Sequence, residues 1–180
     1  MNVKDLIVSC IHRSTLQVFS TMLGEELLLA GVATERDSQE VRDGVVSFVG
    51  LTGSWAGTGS IICSPEMACR ICAQMLLTEA PAVNEEVLDA VAEVTNMIVG
   101  NVKNDLEPHL GLLGLSVPTV VYGRNFRARN ARHSEWVVAR FAWGDEILTV
   151  KLSIAPDSAK TGEGVHAAST SFGEPYALDV

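Results

Sequence analysis

Residues Val83 to His109 read VNEEVLDAVAEVTNMIVGNVKNDLEPH, and their apolar residues recur with the period of one long α-helix. At 3.6 residues per turn, Val87, Val91, Val94, Thr95, Ile98 and Val102 project to one side, with Leu88 and Leu106 at its edge. That side is core. Asp89, Glu93, Asn96 and Gly100 fall on the opposite side, and Glu93 and Asn96, three positions apart, hold their Cβ atoms about 5–6 Å from each other. The outer face is therefore a narrow acidic and amide strip. An exposed Glu and Asn need no explanation beyond solvation. Gly100 does, because glycine inside a helix costs about 0.5–1 kcal/mol relative to alanine, so its place one turn beyond Asn96 predicts close approach of something to the backbone there.

Working outward, Asn2 is placed to cap a helix that carries Val3, Ile7, Cys10, Ile11, Val18 and Met22 at helical spacing and ends at Gly24. Val45–Val49 and Gly59–Cys63 are β-branched runs around Gly50, Gly53 and Gly57, predicting two short strands in a hairpin. Ser64 followed by Pro65 and Glu66 is a helix start, and this second helix runs to about Leu77. After the long helix, Pro108, Gly111 and Gly114 mark a loop. Val117–Tyr122 reads as a strand, with Pro118 at its start or edge because proline cannot donate a ladder hydrogen bond. Gly123–His133 gathers Arg124, Arg127, Arg129 and Arg132 in what reads as a solvated hairpin tip. Trp136–Trp143 and Ile147–Ile154 form a hairpin turning at Gly144-Asp145. The order is α-β-β-α-α-β-β-β, an α+β domain over residues 1–154 with helices on a largely antiparallel sheet. From Ala155 to Val180 the chain turns small and polar and reads as a flexible tail in which Phe172, Tyr176 and Leu178 could dock.

Bulk properties narrow the function. The 180 residues suit one domain with a real core, and 13 Lys plus Arg against 22 Asp plus Glu leave a net charge of -9, which repels nucleic acid. No signal peptide leads the chain and no run approaches the roughly 20 apolar residues of a membrane span, so a soluble cytoplasmic protein is expected, with no membrane partner. Cys10, Cys63, Cys69 and Cys72 lie in apolar segments and read as reduced core residues; the Cys69-x-x-Cys72 spacing fits a helix face as well as a redox pair or half a zinc site. His12, His109, His133 and His166 show no paired-ligand spacing, so no metal site assembles from motifs.

The run Asp89–Lys103, D-A-V-A-E-V-T-N-M-I-V-G-N-V-K, followed by Pro118-Thr119-Val120-Val121, resembles the E-x-x-N helix and downstream P-T-V strand of the CheC/CheX/FliY family, most of all the CheX pattern. The glycine-punctuated FVGLTGSWAGTGSIICS, residues 48–64, resembles the same family's hairpin, and the likeness spans most of Val3–Ile154. Members of that family dephosphorylate the chemotaxis response regulator CheY. The resemblance implies an aspartyl phosphate on a CheY-like receiver domain as substrate, Asn96 entering that domain's active site, and Glu93 meeting its active-site lysine. It further implies that Asp89 and Gly100 border the binding face. The cofactor Mg2+ would then belong to the receiver, and this chain would hold none of its own. It also implies a homodimer formed through sheet edges. Asparagine is too weak a base to deprotonate water, so Asn96 would act by orienting the nucleophile, as glutamine does in small GTPases.

Two other readings use the same sequence differently. One is a non-catalytic module that docks a receiver or a flagellar-switch component through the same helix. The other is an adaptor working through the arginine-rich stretch and the tail.

Overall fold

The structure, a computed structural model, describes residues 2–36, 39–128 and 135–157. Its elements run α1 (Val3–Val18), a π-helical turn (Phe19–Leu23), β1 (Leu28–Arg36), β2 (Gln39–Gly53), β3 (Trp55–Cys63), α2 (Pro65–Leu76), α3 (Glu85–Leu110), β4 (Leu113–Leu115), β5 (Thr119–Ala128), β6 (Glu135–Trp143) and β7 (Glu146–Pro156). The fold is α+β, three α-helices on a seven-stranded antiparallel sheet. It contains the elements expected from sequence and adds β1 and β4.

Each helix begins where a side chain satisfies the otherwise orphaned N–H groups of its first turn. Asn2 accepts from Lys4 N–H at 3.3 Å, Ser64 from Met67 N–H at 3.0 Å and Asn84 from Val87 N–H at 2.9 Å. Gly24, at φ +65°, ends the first helical segment in the left-handed region that glycine adopts without strain. α3 continues through Pro108 to Leu110, within its last turn, so the proline removes one hydrogen bond near the end rather than breaking the helix.

The sheet order is β1-β6-β7-β3-β2-β4, and β5 also pairs with β2. β2 and β3 form the expected glycine hairpin, with Val45 opposite Cys63 and Leu51 opposite Gly57. The strand read at Val117–Tyr122 continues to Ala128, because β5 pairs with β2 from Phe48↔Thr119 to Gln39↔Ala128. Arg124 and Arg127 therefore lie in a strand rather than at a hairpin tip, and Arg124 pairs with Asp43 at 3.0 Å. Arg129, Arg132 and the segment carrying Phe172, Tyr176 and Leu178 lie outside the described residues.

Three strands separate β1 from β2 in the sheet, yet only two residues lie between Arg36 and Gln39. Four interstrand steps in a flat sheet would span about 19 Å, whereas that link reaches about 11 Å at most. The sheet must curl. Alternation along the strands puts Val45, Val49, Ile61, Phe141 and Leu148 into the core beneath the helices. It puts Val46, Ser60, Val138 and Lys151 on the other face, where the curl encloses them; even Lys151 is only 8% exposed. There Glu35 of β1 bridges Arg140 of β6 at 2.5 Å and Lys151 of β7 at 2.6 Å, tying three strands together. Burial works to raise Glu35, but the hydrogen bonds and charges of Lys151 and Arg140 outweigh it and hold the carboxyl below its ordinary range.

Candidate functional site

α3 buries the face expected of it: Val87, Val91, Val94, Thr95, Ile98, Val102 and Leu106 are all buried. Thr95, the polar member of that face, returns its hydroxyl to Val91 C=O at 2.6 Å. The depth at which the helix lies is set by Gly59 of β3. A Cβ there would stand 2.7 and 2.8 Å from the two γ-methyls of Val99, so only glycine admits this helix–sheet approach.

Asp89, Glu93, Asn96 and Gly100 consequently share the outward strip. Asp89 and Glu93 are exposed, and Asn96 and Gly100 are half-buried. Among the described residues, none makes a hydrogen bond or ion pair with the side chains of Asp89, Glu93 or Asn96. These groups are chemically uncommitted. A Cβ added at Gly100 would meet Leu115 Cδ1 at 3.7 Å, an ordinary contact, so no described atom of this chain requires glycine at that position.

Farther along the helix Lys103, Asp105 and Glu107 are engaged. Glu107 pairs with Lys103 at 2.8 Å and accepts Leu113 N–H at 3.0 Å. The Lys103 hydrogen bond and then the Leu113 N–H hold its carboxyl below the ordinary range. Glu107 thus secures the segment that leaves α3, and Leu115 of that segment lies against Gly100. Sequence reading placed only a loop here; its position depends on the β4–β2 pairing, a long-range contact without a local signal.

The strip is a convex helix surface. The groove of about 420 Å3 beside α2, lined in part by Pro65, Glu66, Cys69, Val83, Tyr122 and Arg124, includes none of its residues. A small molecule needs concavity around it. A convex strip with free amide and carboxylate groups instead suits a macromolecule that brings the concavity itself.

The thiols contribute no reactive centre. Cys10, Cys63 and Cys72 are buried and Cys69 partly so, all four unpaired. Burial raises each thiol, Cys63 to about 12, where thiolate is scarce at neutral pH. Among the described residues, no group of three or more His, Cys, Asp or Glu could hold a metal ion, and no helix is long and apolar enough to cross a membrane.

The family profile described as "Chemotaxis phosphatase CheX" matches residues 45–142. A CheC-like superfamily protein from Shewanella sp. PV-4 is 25% identical with a TM-score of 0.75, over 86% of this chain and 99% of that one. The chemotaxis protein CheX of Desulfovibrio desulfuricans is 24% identical with a TM-score of 0.74, over 83% and 99%. The CheX of Borrelia burgdorferi, solved in a complex with CheY, BeF3 and Mg2+, is 22% identical with a TM-score of 0.64, over 82% and 97%. No curated protein sequence matches the chain.

Proposed function

The chain belongs to the CheX family of chemotaxis phosphatases, and on that premise we propose that it hydrolyses the aspartyl phosphate of a CheY-type response regulator through Asn96 and Glu93 of α3. The observation that carries this reading is the pair itself: a free amide and a free carboxylate one turn apart on a rigid, outward helix, inside the family-matched segment.

In the proposed reaction, water attacks phosphorus in line with the acyl oxygen. The bond between phosphorus and the bridging acyl oxygen breaks, its electron pair stays on that oxygen to restore the receiver's carboxylate, and the water's oxygen and both its protons leave in inorganic phosphate, which gives up a proton to solvent as its own pKa dictates. The Asn96 amide carries an acceptor oxygen and two N–H donors, so it can hold that water and a phosphoryl oxygen together. Fixing an otherwise mobile water in a near-attack position can supply several kcal/mol of the barrier. Glu93, one turn away, forms a charge-assisted hydrogen bond to the receiver's lysine and sets how deeply the amide enters. Mg2+ sits on the receiver, a reading supported by the Borrelia burgdorferi complex of CheX with CheY, BeF3 and Mg2+. Assembly as a homodimer through sheet edges belongs to the same proposal, and β1, an edge strand with Leu28 and Val32 exposed, supports it.

The test is acyl-phosphate decay on CheY-type receivers with wild type and Asn96→Ala side by side. Wild type accelerates decay, whereas Asn96→Ala loses about 100-fold or more of that acceleration and still binds the receiver. Glu93→Lys weakens binding. A fully active Asn96→Ala protein refutes the assignment, and binding without acceleration by wild type favours the non-catalytic module.

A further inference from the structure

Gly100 lies on the outward strip, four residues and about 6 Å of helix beyond Asn96. It sits well inside α3, and its φ is not in the left-handed region. Alanine adopts that backbone conformation at lower cost, because glycine gives up more freedom on entering a helix. Other glycines of the fold are demanded by their neighbours. A Cβ at Gly57 would stand 2.0 Å from the Ser153 carbonyl oxygen, and one at Gly59 would stand 2.7 Å from a Val99 methyl. At Gly100 the nearest described atom outside the helix backbone is Leu115 Cδ1 at 3.7 Å, and no described side-chain atom of Asn96 comes within 4 Å. The fold therefore has room for a methyl group at residue 100 and does without one.

The direction of the missing side chain matters. Helical side chains lean toward the N-terminus, so one at residue 100 would cover the surface over the preceding turn, from which Asn96 projects. Glycine leaves the backbone bare on the C-terminal side of the amide. On the N-terminal side, the neighbour one turn back along the same row is Ala92, whose side chain is a single methyl. Asparagine is also short. Its amide begins one carbon beyond Cβ, so a group that meets the amide must come close to the helix itself.

We infer that Gly100 is a positioning residue for the receiver reaction: it lets the rim of the receiver's active site pack directly on the α3 backbone, and that seating sets how far the Asn96 amide reaches toward the phosphoryl group. This rests on the phosphatase reading above. The N–H and C=O of residue 100 are spent on bonds within the helix, so what lands there gains a contact of shape and not a backbone hydrogen bond. The receiver element that fits is one of low relief beside the phosphorylated aspartate. A methyl group at residue 100 would hold it off, although the same methyl suits the isolated chain.

The test compares wild type with Gly100→Ala and Gly100→Leu as full chains. Urea unfolding reads stability. On CheY-type receivers with Mg2+, the Kd of the BeF3-loaded form and the acyl-phosphate decay rate at saturation are read separately. Gly100→Ala should raise the urea midpoint by on the order of 0.3 M with unchanged slope. It should also lower the saturated rate by about tenfold or more, since a misplacement of about 1 Å can cost about 100-fold, and Gly100→Leu should lower it further. In the Asn96→Ala background, Gly100→Ala should leave the residual rate within about twofold, because its effect passes through the amide. An unchanged saturated rate for Gly100→Ala beside an active wild type overturns the inference, whether Kd or self-association moves or not. So does a fall in stability, which would show that the fold itself requires glycine, and so does an equal loss in the Asn96→Ala background. If wild type accelerates no receiver, the phosphatase reading has failed and Gly100 loses its role with it, a result distinct from equal rates for wild type and Gly100→Ala.

Discussion

Substituting Gly59 with alanine tests how the sheet sets the position of α3, the helix proposed to carry the activity. The new Cβ would lie 2.7 and 2.8 Å from the two γ-methyls of Val99, and the shortest ordinary contact is 3.4 Å, so the pair must separate by about 0.7 Å. Rotating Val99 is a poor escape, because both methyls face the glycine and valine in a helix keeps one dominant rotamer. The helix moves instead. Overpacking of this kind costs about 1–3 kcal/mol, and each kcal/mol lowers Tm by about 2–4 °C in a domain of this size. Val99 lies one turn from Asn96, so the displacement carries the amide outward. If a 1 Å misplacement can cost about 100-fold in rate, roughly 0.7 Å should cost on the order of tenfold. Urea unfolding gives the stability, and receiver dephosphorylation at saturation gives the rate. Val99→Ala removes both methyls and should relieve the clash, so Gly59→Ala/Val99→Ala should exceed the sum of the single variants by about 1–3 kcal/mol in a double-mutant cycle. Additive losses, or a Gly59→Ala protein with wild-type stability and rate, would refute the claim that this contact sets the helix.

Two further predictions concern the scaffold. Glu35→Gln leaves Lys151 enclosed without its counter-ion and should cost about 1–3 kcal/mol at neutral pH. Because the folded-state carboxyl is held below its ordinary 4.5, its contribution is present above that value and lost as pH falls through the depressed one. Stability curves of wild type and Glu35→Gln should therefore converge in acid, and a gap that stays constant with pH contradicts the ion-pair account. Ser64→Ala removes the hydroxyl that accepts Met67 N–H at 3.0 Å and donates to the Glu146 carboxylate. It should cost about 1–2 kcal/mol as a shift in urea midpoint with unchanged slope, while Ser64→Asn should recover most of the loss.

The long helix was legible because its periodic apolar face and its tertiary surroundings agree, and with it the strip that carries Glu93 and Asn96. The β2–β3 hairpin was legible for the same reason: β-branched runs and glycines coincide with a short connection. β1 was not. In LLAGVATER, Glu35 turns inward to meet Lys151 and Arg140, so a charged residue lies on the enclosed face while Val32 is exposed on the other, and the apolar alternation rule fails. A register irregularity between Leu29 and Gly31 disrupts the period further. β4 is three residues long and exists through its pairing with β2. The full reach of β5 was hidden because GRNFRA reads as a polar turn until β2 lies beside it. Each miss involves a contact between distant segments.

Two carboxylates on α3 differ in what holds them. Glu107 is occupied by Lys103 and Leu113 N–H, and that engagement fixes the segment leaving the helix. Glu93 makes no such bond among the described residues, and neither does Asn96. Had the Asn96 amide been bonded within its own chain, receiving a partner would first break that bond, and about 0.5–1.5 kcal/mol of the encounter would be lost to the exchange. A free amide on a helix whose other face is buried needs only to shed water. Rigidity comes from Val94, Ile98 and Val102 below, and availability from the absence of a partner among the described residues above. That combination presents an uncommitted amide on the outer face of a fixed helix, the property that the proposed entry of Asn96 into a receiver's active site would draw on.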